Sequence, residues 1–332
     1  MIVSIEESVF NQYDSKPTEI INLFSFGLEC RHYILTRPIF DETDQDSLIN
    51  AWLNRLDPPI LKDQFGHVLK TGIEGVVKEP FLDLTIHTVA GDESKWDETP
   101  PKLTLSDTCQ ILNQPLRIIL ENSRNDLAFL KCILPREWEE KLSECVEKKW
   151  VEPFNAGGIG EMKEQVMLFY DQHKEILRSW LLFDSDAKKP GCPSETSKAL
   201  GSVCENYGFA YHQLKRRAIE NYIPVKAIFA WIYHSNRIRK LHKERAKAFK
   251  ELRSEQRHHY DMKHGLEKDE KSGGSPLFQD IDPKSRQHLL TGFGNIAELF
   301  KQSNFDIQYE WLLKDGQDSE IQEIIQSLFK RM

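Results

Sequence analysis

The 332-residue sequence has no apolar run long enough to cross a bilayer. It has no C-x-x-C pair, no Walker-type phosphate loop and no internal repeat. Its first residues, MIVSIEESVFNQYDSK, lack the basic-then-apolar order of a signal peptide. The six cysteines (Cys30, Cys109, Cys132, Cys145, Cys192 and Cys204) are scattered, which argues against a zinc site and for reduced thiols. These absences lead to the expectation of a cytoplasmic protein with no membrane partner. With 39% hydrophobic and 29% charged residues, the chain has the composition of an ordinary globular protein of two or three domains.

Charge is unevenly spread. The net charge is −8, yet residues 215–263 hold 14 Lys/Arg against 5 Asp/Glu. A basic segment on an acidic protein fits a phosphate-bearing partner, and it equally fits a solvated helix face.

Residues 1–104 are mixed, with helical spacing in SLINAWLNRL (47–56) and strand-like alternation in PFLDLTIHTVA (80–90). We expect an α+β region there, ending in a polar, proline-bearing linker, GDESKWDETPPK (91–102). From residue 105 to 235 the pattern alternates. Strands are expected at PLRIILEN (115–122), KWVEPFNAGG (149–158), WLLFD (180–184) and FAYHQLKRR (209–217), with helices between them. That rhythm implies an α/β unit, a parallel sheet with helices on both faces. Residues 236–332 read as a helical C-terminal region opening on one long basic helix within 235–260.

The chemistry sits in WLLFDSDAKKPG (180–191). Two aspartates one residue apart resist ionising together unless a cation lies between them. In an extended stretch Asp184 and Asp186 would point the same way. Ligands of open parallel sheets gather outside the carboxyl ends of the strands. There Glu121, ending the first strand of this unit, would join the two aspartates in a hard oxygen-donor set suited to Mg²⁺, with Mn²⁺ as an alternative.

Together, ILENSRNDLAFL (119–130), LLFDSDAKKPG (181–191) and KRRAIENYIP (215–224) resemble the Toprim domain, in particular stand-alone and OLD-like Toprim nucleases. This is the metal-dependent catalytic fold shared by topoisomerases, bacterial primases and OLD-type nucleases. The resemblance covers roughly residues 106–235. It implies hydrolysis of nucleic-acid phosphodiesters, with Glu121 as general acid/base or metal ligand and Asp184 and Asp186 as metal chelators. Glu220 would be a second-metal ligand or an arginine's partner. Asn122 stands where the family has glycine, and Asp126 lies one position beyond the E-G-x-x-D spacing, which leaves the role of Asp126 open. Lys188, Lys189, Lys215, Arg216 and Arg217 would contact phosphate. Proteins of this kind resemble toxic effectors of phage-defence modules, which implies a restraining protein partner, such as an ATPase, docking on residues 1–104.

Two other readings fit the same residues. One is an inactive Toprim module used for binding or sensing. The other is a phosphatase with Asp184 as nucleophile, although Ala187-Lys188 follow where such enzymes favour Thr or Gly. NAGGIGEM (155–162) reads as a tight strand-to-helix turn, and the histidines of RHHYDMKH (257–264) as polar surface.

Overall fold

The computed structural model describes residues 1–78, 84–170, 172–234, 236–271, 273–302 and 307–332. Two four-stranded sheets, parallel throughout, organise the chain. The first is built from β1 (Ile2–Glu6), β2 (Tyr33–Arg37), β3 (Thr85–Val89) and β4 (Lys102–Thr104), in the order β2-β1-β3-β4. The α+β expectation for residues 1–104 is therefore corrected to a parallel α/β unit of its own. The segment expected as a linker ends in strand β4, and residues 80–83 of the expected strand lie outside the described residues. The helix that follows β4, Leu105–Asn113, packs back on this first sheet. Its Leu105, Ile111 and Leu112 join Val3, Ile5, Phe24, Trp52 and Phe65 in one core.

The second sheet holds the alternating region. Strands β5 (Leu116–Leu120), β6 (Val151–Asn155), β7 (Ser179–Phe183) and β8 (Ala210–Gln213) pair in the order β6-β5-β7-β8. Period-two alternation sends their side chains to two separate cores. Ile118, Leu120, Trp180 and Leu182 face one way, against Phe249, Tyr260, Ile324 and Leu328 of the C-terminal third. Ile119, Leu181 and Phe183 face the other, against Met162 and Val166 of helix Ile159–Phe169 and Leu200 and Cys204 of helix Glu195–Tyr207. Strands buried on both faces read as unbroken apolar runs, which is why LRIIL and WLLF were recognisable.

The C-terminal third thus completes the core of the second sheet. Helix Asp318–Phe329 lies along the β8 side, where buried Glu320 accepts hydrogen bonds from His212 Nε2 (3.1 Å) and the Lys215 amide (2.7 Å). The long basic helix is two helices, Asn236–Glu251 and Ser254–His259. The break at Leu252-Arg253 is capped by Gln256, whose Oε1 accepts from the Arg253 amide at 2.9 Å. His259 is buried, with Nδ1 2.9 Å from the Ala187 carbonyl oxygen, so it belongs to the interior and not to the polar surface expected. Among the described residues, no helix is long and apolar enough to cross a membrane.

Candidate active site

The register of β5 and β7 pairs Leu120 with Leu182, so the next residues along, Glu121 and the Phe183-Asp184 peptide, meet at the same sheet edge. Glu121 Oε1 accepts a hydrogen bond from the Asp184 amide at 2.7 Å. Sixty-three positions apart in sequence, the two acids are neighbours in space. Asp184 Oδ1 in turn accepts from the Ile219 amide at 3.1 Å, and its carbonyl accepts from Ser197 Oγ at 2.7 Å. Ser197 is itself held by Gln213 Nε2 at 2.7 Å. The glycine pair after β6 reaches the same edge. The Ala156 amide donates to the Leu120 carbonyl and the Gly157 amide to that of Glu121, and Gly157 and Gly158 take φ values of +90° and +131° that side chains disfavour.

Asp126 is buried in the first turn of helix Ser123–Ile133, where its Oδ2 accepts from the Asn122 amide at 2.8 Å. With Asn122 Oδ1 accepting from the Asn125 amide at 3.3 Å, it satisfies the exposed donors of a helix start. Asp126 therefore has a structural task in addition to its charge.

The carboxyls perturb one another strongly. Burial pushes Glu121 up to about 7, with Asp126 and Asp186 adding to the rise and the Asp184 amide and Lys263 opposing it. Burial, and then Glu121, Glu220 and Asp126, hold Asp184 well above the usual carboxylate range. Burial likewise lifts Asp126 to about 6. This is excess negative charge in a partly dry site, the situation that a cation relieves.

A cation of the chain's own already sits there. Lys263 Nζ lies 3.0 Å from Glu220 Oε1, and its charge also acts on Asp184 and Glu121. Burial would lower this ammonium, but the three carboxylates outweigh it and raise Lys263. Glu220 is buried at 1% exposure, so of the two expectations for it the ion pair is what the structure contains, with lysine in place of arginine.

Asp186 departs from the expected geometry. β7 ends at Phe183, and Asp186 has a left-handed φ of +50°, so the alternation argument for parallel side chains does not apply. Its amide donates to the Arg217 carbonyl at 2.8 Å, and the residue is exposed beside the Glu121–Asp184 pair.

Arg216 and Arg217 are corrected as phosphate contacts, because both are buried and consumed by the fold. Arg216 pairs with Asp315 (2.7 Å) and stacks 4.9 Å from the Tyr222 ring centre. Arg217 pairs with buried Asp261 (3.0 Å) and with Asp269. Lys188 is also turned toward Asp269, at 3.5 Å, and Lys215 pairs with Glu323. Lys189 is exposed on the loop after the aspartates. Sequence reasoning missed Lys263 at the site, since nothing local in DMKH marks a lysine that reaches a glutamate so far upstream.

Among the described residues, no group of three or more His, Cys, Asp or Glu side chains is spaced to hold a metal ion. The donors do fit a hard divalent cation in chemistry, being carboxylate oxygens whose mutual repulsion is only partly offset by Lys263. Glu121, Asp184 and Asp186 are the side chains expected to hold one, and as placed they do not form such a group. No protein-family model, curated protein or solved structure matches the chain.

Proposed function

We propose that the chain is a Toprim-type, Mg²⁺- or Mn²⁺-dependent nuclease that hydrolyses nucleic-acid phosphodiesters. The observation that supports this reading best is the junction of Glu121 and Asp184 at the carboxyl edge of a parallel sheet, with Glu121 at about 7. A carboxyl near neutrality both takes and returns a proton at working pH, as a general acid/base requires. A divalent ion held by Asp184 and Asp186 would supply charge stabilisation at the phosphate, with Glu121 either as the acid/base beside it or as a third ligand. Lys263 offers a fixed positive charge beside them, and exposed Lys189 offers a contact for a flanking phosphate. The exposed basic residues of helix Asn236–Glu251, among them Arg237, Lys240 and Lys243, would attract the polyanion. A cytoplasmic setting, a role as a toxic effector in phage defence and a restraining partner, such as an ATPase, on residues 1–104 belong to the same proposal.

A second reading has an observation of its own. Lys263 already neutralises part of the cluster through Glu220, as a core retained for binding alone would allow. Cleavage assays on plasmid DNA and on structured RNA separate the two. Purified protein with Mg²⁺ or Mn²⁺ is expected to cut one of them, and Glu121→Gln to lose on the order of 10²–10⁴ in rate. Folded protein that cuts neither, alone or with its genomic neighbours, would leave the binding-module reading in place. A trapped phospho-Asp184 adduct would favour the phosphatase.

A further inference from the structure

A cavity of about 490 Å³ lies between the two sheets, at the opposite end of the second sheet from Glu121. Residues at or next to the starts of three strands line it: Tyr33 of β2, Leu116 of β5 and Val151 of β6. Arg178 and His32, 2% and 3% exposed, form its floor, with half-buried Arg31 beside them.

The floor has a surplus of positive charge. Arg178 donates from Nε (3.2 Å) and Nη2 (3.1 Å) to the Gln114 carbonyl, and from Nη1 (3.0 Å) to that of Arg331. Arg31 Nη2 donates to the same Gln114 carbonyl at 2.8 Å, so two guanidiniums converge on one oxygen. Among the described residues, no carboxylate lies within ion-pair distance of either guanidinium. Burial, followed by the N-terminal ammonium, Arg178 and Arg31, holds buried His32 well below its usual value. With Nε2 donating to the Leu112 carbonyl at 3.4 Å, its unpartnered Nδ1 is an acceptor, suited to a phosphate hydroxyl. Burial, and then Arg31 and Arg331, push Arg178 down to about 9. Glu29, also in the lining, offsets part of the Arg31 charge. The backbone carbonyls satisfy the hydrogen bonds of buried Arg178 but leave its charge uncompensated, which is expensive. The group that is missing is an anion.

The rest of the cavity narrows what that anion is. Trp150 and Phe329 supply aromatic wall, and Glu137, Glu140 and Glu144 stand exposed along the rim on helix Arg136–Glu147. Lys141 and Lys148 share that rim, where Glu140 pairs with Arg136 (2.7 Å) and Glu144 with Lys148 (2.6 Å). These glutamates are solvent-screened and partly paired, so they do not cancel a guanidinium in the dry floor. They also accept hydrogen bonds from hydroxyl and amino groups. A charged head inside, a flat ring against the wall and donors outward describe a nucleotide, and the volume suits a small ligand.

We propose that this cavity binds a nucleoside monophosphate, its phosphate on Arg31 and Arg178 with a phosphate hydroxyl donating to His32 Nδ1, and its hydroxyl and amino donors toward the rim, where Glu137 stands exposed. Since Arg31 and His32 come from the first sheet's unit and Arg178 from the second, the ligand would tie the two units together and give the chain a control point remote from the carboxylate edge. The inference does not depend on the nuclease reading.

Calorimetry and thermal shift of the full chain, run in EDTA to keep metal–nucleotide complexes from the carboxylates, test it with AMP, GMP, adenosine and inorganic phosphate. AMP or GMP is expected to bind with Kd below about 1 mM and to raise Tm, while adenosine does not bind. Arg31→Glu, and Arg31→Gln as the milder change, should weaken binding by at least roughly tenfold. Both are checked for a parent-like circular dichroism spectrum, because Arg31 also bonds the Asn113 and Gln114 carbonyls. Asp184→Asn should bind as the parent does. Failure of both nucleotides to bind folded protein, equal binding by Arg31→Glu, equal binding of adenosine, or inorganic phosphate binding as tightly as AMP would each overturn the proposal.

Discussion

Asp184 sets function against stability at a single residue. Burial raises Asp184, Asp126 and Glu121 in the folded chain, so the native state keeps protons that the unfolded chain has released. Stability from these groups is therefore greatest in mild acid, and falls as pH rises from the ordinary carboxylate range toward about 7. Asp184→Asn removes one of the charges yet keeps Oδ1 to accept from the Ile219 amide. At pH 7.5 without metal we expect it to raise Tm by about 2–4 °C, the shift that goes with about 1 kcal/mol, and to flatten the decline between pH 5 and 7.5. Scanning calorimetry across that range checks both, and a variant less stable than the parent would contradict this account of the charges. Glu121 and Asp184 were legible because each follows a buried apolar strand, and the sheet rule places such residues on one rim. Asp186 was named with them, but its orientation was not legible, because no local pattern announces its left-handed backbone or its amide's bond to the Arg217 carbonyl. Arg216 and Arg217 misled for a related reason. Their partners Asp315, Asp261 and Asp269 come from far along the chain, so a run of basic residues looked available when it was spent.

Among the elements, the strands buried on both faces were readable, while of the first sheet β3 was, inside the strand expected at 80–90, and β1 and β2 were not. IVSIE and YILTR are short, and each carries polar residues that blur the apolar run. Helix Asn236–Glu251 shows the reverse, a pattern plain in sequence whose purpose depends on which side faces water. Ala246, Ala248 and Phe249 are buried, whereas Arg237, Lys240 and Lys243 are exposed. With Arg216 and Arg217 withdrawn into the interior, this helix carries much of the exposed positive charge of the basic segment. Replacing Arg237, Lys240 and Lys243 together by Gln should reduce the slope of log K against log salt by about 2–3, as each lost phosphate contact removes nearly one unit. Filter binding of a nucleic-acid oligomer at several salt concentrations measures that slope. An unchanged slope would place the polyanion elsewhere.

For the whole molecule, the question is which parts can stand alone. Sequence periodicity delimited the alternating region at residue 235, but periodicity does not say what covers a sheet. One face of the second sheet presents Ile118, Leu120, Trp180 and Leu182, and the C-terminal third supplies Phe249, Tyr260, Ile324, Ile325 and Leu328 to bury it. Polar ties reinforce that packing. Trp180 Nε1 donates to Ser327 Oγ at 2.6 Å, and Glu320 receives the Lys215 amide beside the turn that carries Glu220. Even the cation of the carboxylate edge, Lys263, comes from beyond residue 235. A fragment of residues 105–235 would therefore expose a continuous apolar face, a recognised route to aggregation, and lose the charge that steadies its acids. We expect it to be insoluble or to bind a hydrophobic dye without a cooperative melt, whereas residues 114–332 fold cooperatively, since they keep both cores of the second sheet. Circular dichroism melts and gel filtration of the two fragments decide the matter. A compact, cooperatively melting 105–235 fragment would mean that the C-terminal third is an addition to a self-sufficient unit and not part of its core.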